Sequence, residues 1–245
     1  MERHRLARYA RAAWHLLFPE RCALCGSLLG EGEEAVCATC RLSLPYTRLR
    51  ARAGNAVERL FYDLDGLQRA SAYLIYREGN DVQRLVLLLK YHARPRLGRY
   101  LGRDMAYDLD GTGFFDGVDG IVPVPLHFKK EHQRGYNQSL HIALGLADVT
   151  GIPVRTDLIV RTVNNPTQTQ RNHRERRENV KGVFRIKSKE AVAGGHWLLV
   201  DDVITTGATL HSCAEALVGT GDVRFSVLGL SLAGMHLNVF EERAE

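Results

Sequence analysis

From about residue 70 onward, short apolar runs alternate with longer amphipathic stretches. The apolar runs predict buried strands, in ASAYLIY, GIVPVPLH, IPVRTDLIVRT, VKGVFRI, HWLLVDD and RFSVLGLSLA. Helices are predicted over DVQRLVLLLKYHARPRLGRYLGRDMAYDL, with an interruption at Pro95, and over SLHIALGLADVTG and TLHSCAEALVGTG. Strands separated by helices are usually joined by right-handed crossovers. The pattern therefore predicts an α/β domain with a mainly parallel sheet flanked by helices on both faces.

The 245 residues, 45% of them hydrophobic, are enough for one main domain and a small appendage. We expect an N-terminal helix and a cysteine module in residues 1–50, a linker in 51–70 and the α/β domain in 71–245. The first 18 residues can form an amphipathic helix, which packs against the protein or contacts a membrane surface. No apolar stretch is long enough for a transmembrane segment. A cytoplasmic protein is expected, with a peripheral position at the inner membrane as an alternative.

Four of the five cysteines form two Cys-x-x-Cys pairs, Cys22/Cys25 and Cys37/Cys40. Two such turns can surround one ion, and four thiolates leave no coordination position open for water. The pairs therefore predict a structural Zn²⁺ site in a compact knuckle. A redox pair or two disulfides is the alternative, which a cytosolic location disfavours. The fifth cysteine, Cys213, is expected in the core.

The net charge of +5 is unevenly distributed along the chain. The segment from Arg161 to Lys187 holds eight Arg or Lys residues against two Glu, a local surplus of six. Such a cluster suits a phosphate-bearing partner, either a small phosphorylated molecule or a nucleic acid. A solvated loop is the alternative.

The segment HWLLVDDVITTGATL places two adjacent acids, Asp201 and Asp202, after a buried apolar run. The next helix is expected to begin near Thr209, so that its first N–H groups face the carboxyl end of the strand. Threonine hydroxyls and the tight turn allowed by Gly207 suit a phosphate. A ribose 5-phosphate satisfies both features, because its hydroxyls can donate to the acids. A plain strand followed by a helix cap explains only part of this set.

The same segment resembles the phosphoribosyl pyrophosphate signature of type I phosphoribosyltransferases. That resemblance implies the type I phosphoribosyltransferase fold, with the small zinc-binding module added at the N-terminus. It also implies Mg²⁺ bound together with the ligand. The implied ligand-binding residues in the strand and the following loop are Asp201, Asp202, Val203, Thr205, Thr206, Gly207, Ala208 and Thr209.

The resemblance further implies a diphosphate loop in VPVPLHFKKEHQRGYNQ and a closing hairpin in RTVNNPTQTQRNHRERRENVKGVF. Val124, Pro125 and Lys129 are then ligand-binding residues of the loop, and Gln168 and Arg171 are those of the hairpin. The residues implied to act in catalysis are Asp201, Asp202, Arg134 and Arg171. The candidates for binding nucleic acid are Lys129, Lys130, Arg174, Arg177 and Lys181.

These motifs, with the cysteine pairs and LLLKY at 87–91, occur in the order typical of the ComF family. The chain resembles that family from about Leu16 to Leu230. The resemblance implies a role in DNA uptake during natural transformation, with single-stranded DNA and the uptake machinery as partners.

Whether the chain is an enzyme stays open at the level of sequence. One hypothesis is a phosphoribosyltransferase of nucleotide metabolism with an unknown acceptor. Thr205 stands where purine-salvage relatives often have an Asp base, which weakens a purine-salvage reading. The other hypothesis is a DNA-handling protein whose pocket binds the sugar phosphate without transfer. Its sequence support is the clustered charge, with Tyr91, Phe128 and Tyr136 as candidate stacking surfaces.

Overall fold

The computed structural model describes residues 20–163 and 182–234. The predicted N-terminal helix lies outside these residues. The chain divides into two compact units between Leu44 and Pro45. Among the described residues, no helix combines the length and the apolar character needed to cross a membrane.

The smaller unit is built around the first cysteine turn. An isolated antiparallel bridge joins Arg21 to Leu28, and the turn between them is closed by the N–H of Gly26, which donates to the carbonyl of Cys22 (3.0 Å). One short helix, α1, spans Ala38–Leu42. The Glu33 carboxylate accepts from the N–H groups of Gly30 and Ala38, both at 2.7 Å, and so connects the loop to the start of the helix.

The larger unit is formed by six strands and five α-helices among its described residues. The strands are β1 (Leu67–Ile75), β2 (Gly120–Pro123), β3 (Ile159–Arg161), β4 (Phe184–Ile186), β5 (His196–Ile204) and β6 (Arg224–Leu232). The helices are α2 (Asp81–Tyr91), α3 (Pro95–Leu109), α4 (Phe128–Arg134), α5 (Gln138–Thr150) and α6 (Ala208–Val218). Pro95 stands at the start of α3, where its missing N–H costs no hydrogen bond, and so accounts for the predicted interruption.

The main sheet has the order β1-β6-β5-β2, and all three strand pairs are parallel. The predicted α/β class with a mainly parallel sheet is confirmed. Helix α5 packs on β2 and β5, whereas α6 packs on β5 and β6. Every residue of β5 except Val203 is buried, as expected for a central strand covered on both faces.

Helices α3 and α5 approach each other at two glycines. A Cβ atom at Gly102 would lie 2.1 Å from the carbonyl oxygen of Ile142, and one at Gly145 would lie 2.1 Å from that of Arg99. No side chain larger than hydrogen fits at either position. The contact fixes α5, whose first turn reaches the carboxyl edge of the sheet.

The segment predicted as a linker, 51–70, is part of the larger unit. It contains a 3₁₀ helix at Glu58–Phe61, and Phe61 is fully buried against the core that also contains α6. The compact unit begins at Pro45 rather than at residue 71 because the chain is bonded to β1 from there on: the N–H of Ile75 donates to the carbonyl of Pro45 at 2.7 Å. The short strands β3 and β4 form a separate antiparallel pair.

Candidate functional site

The two adjacent acids lie within β5 rather than after it. The strand continues to Ile204 because β6 remains paired with it, with Asp201 opposite Gly229 and Ile204 opposite Leu232. On the other side, β2 ends at Pro123, which pairs with Val200. The acids therefore begin where one neighbouring strand has ended and the other continues. Consecutive residues of a strand point to opposite faces, so the two carboxylates leave the strand in different directions.

Asp202 forms an ion pair with Lys90, which lies in the last turn of α2. The distance from Lys90 Nζ to Asp202 Oδ2 is 3.1 Å, and the side chains are 24% and 6% exposed. Burial acts to lower the pKa of Lys90, but the attraction of Asp202, the hydrogen bond to it and the charge of Asp201 raise that pKa overall. The lysine is therefore held in its charged form.

Asp201 is held by the start of α5. Its Oδ1 accepts from Ser139 Oγ at 3.1 Å and from the N–H of Asp202 at 2.9 Å. Burial, followed by repulsion from Asp202, raises the pKa of Asp201 to about 7. Asp201 can thus hold a proton near neutral pH, and such perturbed carboxyl groups are common at functional sites.

The loop after β5 leads directly into α6. Gly207 has a φ of +73° and is the N-cap of that helix, and a Cβ there would lie 3.1 Å from Leu60 Cδ1. Thr205 is exposed and Thr206 is buried, with Thr206 Oγ1 accepting from the N–H of Ala208 at 3.4 Å. The first N–H groups of a helix have no partner within it, so this turn can receive an anion.

The loop after β2 faces the same edge of the sheet. Val124 is buried, and its carbonyl accepts from Asn137 Nδ2 at 3.0 Å. Asn137 is the N-cap of α5, and its Oδ1 accepts from the N–H of Ser139 at 3.0 Å. Pro125 is half-buried, between Val124 and the start of α4. One amide side chain thus connects the β2 loop to the serine that holds Asp201.

Lys130 lies near three other cations at this edge. Burial lowers the pKa of Lys130, and the charges of Arg161, Arg134 and Lys90 lower it further. Burial also lowers the pKa of Arg161, although the charge of Asp201 acts in the opposite direction. The three other cations therefore raise the cost of charging Lys130, and an anionic ligand would relieve that cost.

Two exposed aromatic rings lie beside these cations. Phe128 and Tyr91 are each 68% exposed, and the guanidinium carbon of Arg134 is 5.8 Å from the centroid of the Tyr91 ring. Lys129, next to Phe128, is exposed. Tyr136 differs from them, because it is half-buried and its hydroxyl donates to the carbonyl of Leu89.

The structure brings together most of the predicted ligand residues of β5, its loop and the β2 loop. Gln168, Arg171, Arg174, Arg177 and Lys181, which the resemblance assigns to a closing hairpin or to nucleic-acid binding, lie outside the described residues. Their segment joins Val163 to Gly182 and is flanked by β3 and β4, which pair with each other.

Lys90, Ser139 and Arg161 are site residues that the sequence reasoning did not assign. Lys90 carries a usable signal, because it follows Val82 and Val86 at intervals of four on the buried face of α2. A lysine at such a position needs a buried partner. Ser139 gives no comparable signal, since its contact joins residues 62 positions apart.

In the smaller unit, the four predicted zinc ligands converge. The sulfur atoms of Cys22, Cys25, Cys37 and Cys40 all lie within 4.8 Å of one another. The Cys25 and Cys37 sulfurs are 3.7 Å apart, which agrees with the spacing of about 3.8 Å expected around tetrahedral zinc.

The surrounding backbone also suits thiolate ligands. The N–H groups of Leu24 and Cys37 both donate to Cys22 Sγ at 3.4 Å. Hydrogen bonds with Ser27 lower the pKa of Cys25 to about 6. This donor set fits Zn²⁺, and among the described residues it is the one metal-type cluster. Bound zinc would crosslink the two cysteine turns.

Comparison with known proteins agrees with this arrangement. Residues 13–52 match the family model for the double zinc ribbon domain. The four cysteines thus form a zinc-binding site.

Two named relatives match longer parts of the chain. Competence protein F of Haemophilus influenzae is 34% identical over 47% of this chain, and the match spans 51% of that protein, about half its length. DNA utilization protein YhgH of Escherichia coli O157:H7 is 27% identical over 84% of this chain and 94% of the relative. Among solved structures, an adenine phosphoribosyltransferase matches with a TM-score of 0.39 and 18% identity, over 60% of this chain and 76% of the other.

The fold and the cysteine site define the class: an α/β protein with a parallel sheet and an N-terminal zinc ribbon. The chain is a homologue of proteins named competence protein F and DNA utilization protein YhgH. The resemblance to the ComF family is therefore confirmed.

Proposed function

We propose that the carboxyl edge of the main sheet binds phosphoribosyl pyrophosphate together with Mg²⁺. The observation that carries the proposal is the position of Asp201 and Asp202, buried in β5 where β2 ends and directly before the Gly207 turn. A ligand at this edge meets carboxylates for hydroxyl groups and a helix N-terminus for phosphate.

The described contacts use Oδ1 of Asp201 and Oδ2 of Asp202. The other oxygen of each carboxylate accepts a hydrogen bond from the ribose. Thr205, Thr206 and Thr209 supply hydroxyl groups around the 5-phosphate, and the turn at Gly207 lets the backbone approach it. The cations Lys130, Arg134 and Arg161 favour the diphosphate.

Mg²⁺ would reach the site with the diphosphate, whose oxygens are the ligands that this ion usually keeps. Bound there, it would neutralise the charge that develops on a leaving diphosphate. Carboxylates and phosphate oxygens are a suitable donor set for this ion. The chain's own residues orient the sugar and bind its phosphates.

A calorimetric titration with phosphoribosyl pyrophosphate and Mg²⁺ tests the proposal. Asp202→Asn keeps the shape of the side chain but removes its charge, and we expect at least about tenfold weaker binding, a loss typical of a buried charged hydrogen bond. Asp222→Asn is the matched control, because Asp222 is exposed and precedes β6 at the opposite edge of the sheet. Unchanged affinity in a folded Asp202→Asn protein would refute the binding mode.

Transfer is a separate step from binding. Active phosphoribosyl transfer would release diphosphate when an acceptor is added, so bases, ammonia and DNA are tested in a diphosphate-release assay. Binding without release supports a sensor or carrier; release with one acceptor supports an enzyme.

We further propose a role in DNA uptake, in which the same edge contacts single-stranded DNA. The relatives are named for competence and DNA utilization. The supporting observation is the pair of exposed rings, Tyr91 and Phe128, beside Arg134 and Lys129. Bases stack on exposed aromatic rings, and cations bind the strand's phosphates.

Fluorescence anisotropy with labelled single-stranded DNA tests this second role. Phe128→Ala and Tyr91→Ala are each expected to weaken binding by about 1–3 kcal/mol per stacked base. Tyr107→Ala is the control, because Tyr107 is 60% exposed but lies on α3. Charge reversal at Arg174 and Arg177 should also reduce the salt dependence, by about 0.7 in slope for each lost phosphate contact. Salt curves identical to the parent's would exclude these two arginines from DNA binding.

A further inference from the structure

The ammonium of Lys90 lies against the carboxylate of Asp202. It lies 3.1 Å from Asp202 Oδ2. Among the described residues, that oxygen has no hydrogen-bond donor besides this ammonium. The carboxylate is 6% exposed, so its charge depends on this one partner for compensation.

The positive charge of Lys90 interacts with both acids. Its pKa is affected by Asp202 and, more weakly, by Asp201. Arg134 repels the ammonium, so the attraction of the two acids outweighs that repulsion. A buried carboxylate pair without Lys90 would offer oxygen ligands to a hard divalent ion.

The lysine reaches the acids from a separate element. Helix α2 buries Val82, Val86 and Leu89, and Lys90 continues the buried face at its last turn. The hydroxyl of Tyr136 donates to the carbonyl of Leu89 and fixes the end of the helix. The backbone that carries Lys90 is therefore held in place by packing and by this hydrogen bond.

From this geometry we propose that Lys90 is a tethered cation that keeps free divalent metal away from the acid pair until a sugar phosphate binds. When ribose hydroxyls and a metal-bound diphosphate arrive, the ammonium moves from Asp202 to the diphosphate. Metal is then admitted only as part of the ligand complex. This regulation rests on the proposed ligand-binding function, but its first consequence appears in the ligand-free protein.

Electron paramagnetic resonance of Mn²⁺ titrated into the ligand-free protein measures that consequence. The parent protein should show no tight site at the acids. Lys90→Met should bind one equivalent at least about tenfold more tightly than the parent, because the Asp202 carboxylate then has no cationic partner and is open to a divalent ion. Lys189→Met loses the same charge at an exposed position and should behave as the parent does. Adding Asp202→Asn to Lys90→Met should remove the gain.

Two results would overturn the proposal: a tight Mn²⁺ site in the parent, or no gain in a folded Lys90→Met protein. Lys90→Gln serves as a second variant if the methionine variant fails to fold, with circular dichroism as the check. A parallel calorimetric titration of the parent with phosphoribosyl pyrophosphate and Mg²⁺ separates the two claims. No heat of binding there, together with the Mn²⁺ gain, would refute the ligand while retaining Lys90 as the barrier to free metal.

Discussion

Ser139 donates from its Oγ to Asp201 Oδ1 at 3.1 Å, which joins the first turn of α5 to the central strand of the sheet. Both side chains are buried. Asn137 caps the same helix and also donates to the carbonyl of Val124. The position of the acid therefore depends on the helix and on the β2 loop as well as on its own strand.

Replacing Ser139 by Ala should destabilise the protein by about 1–2 kcal/mol, because Asp201 Oδ1 loses a buried donor. The pKa of Asp201 should rise further, since the serine hydrogen bond acts to lower it. Urea unfolding and a carboxyl ¹³C titration measure the two effects. Ser188→Ala, which removes an exposed contact to Glu190, serves as the control. An unchanged Asp201 titration would argue against the contact.

The raised pKa of Asp201 predicts a dependence of stability on pH. Between about pH 4 and pH 7 the folded protein keeps a proton that the unfolded chain releases, so this residue's contribution makes the free energy of unfolding fall as pH rises. The fall is at most about 4 kcal/mol, from a shift of about three pKa units. It should be absent in Asp201→Asn.

Urea unfolding at several pH values checks this difference between the parent and Asp201→Asn. The comparison cancels the contributions of other groups. Asp222→Asn, at an exposed acid, should follow the parent curve. Parallel curves for the parent and Asp201→Asn would mean that Asp201 titrates normally in the folded protein.

The contact between α3 and α5 predicts low tolerance at Gly102 and Gly145. An added methyl group at either position would meet a helix carbonyl at 2.1 Å and force the helices apart. Each Gly→Ala change should cost about 1–3 kcal/mol or more in the free energy of unfolding. The double variant should cost less than the sum, because the first methyl group already opens the interface. Additive costs in urea unfolding would contradict a shared contact.

The cysteine site predicts about one equivalent of zinc in the purified protein, as expected for one four-thiolate site. Cys25→Ser should lower the zinc content and the order of residues 20–44, measured by elemental analysis and amide NMR. Cys213→Ala should retain zinc, because Cys213 is fully buried in the core of the larger unit. Loss of zinc in Cys213→Ala alone would show that the four-cysteine assignment is wrong.

The sequence predicted the four strands of the main sheet and most helices of the larger unit, because their apolar runs have clear periods. It did not predict α4 or the 3₁₀ helix at Glu58–Phe61. The α4 segment FKKEHQR has no apolar face, so no periodic signal exists there. Phe61 is buried through contacts with distant elements, which local patterns cannot show.

The site was only partly predicted, because local patterns do not show contacts between distant elements. Asp201, Asp202 and the threonine loop are contiguous in sequence, so one motif contains them. Lys90 lies 112 positions before its partner, and no local pattern sets a register between α2 and β5 from which to pair them. The sequence pattern also placed the two acids after the strand, whereas pairing with β6 extends β5 to Ile204 and so places them within it.

At the carboxyl edge of the sheet, β2 ends earlier than β6, so the two sides of β5 differ there. Hydrogen bonding to β6 holds the backbone of the acids rigidly, whereas the early end of β2 leaves room for loops on the other side. Substitutions in those loops should therefore alter what the edge binds without moving the carboxylates. The fold thus separates the rigid support of the acids from the loops that face a ligand.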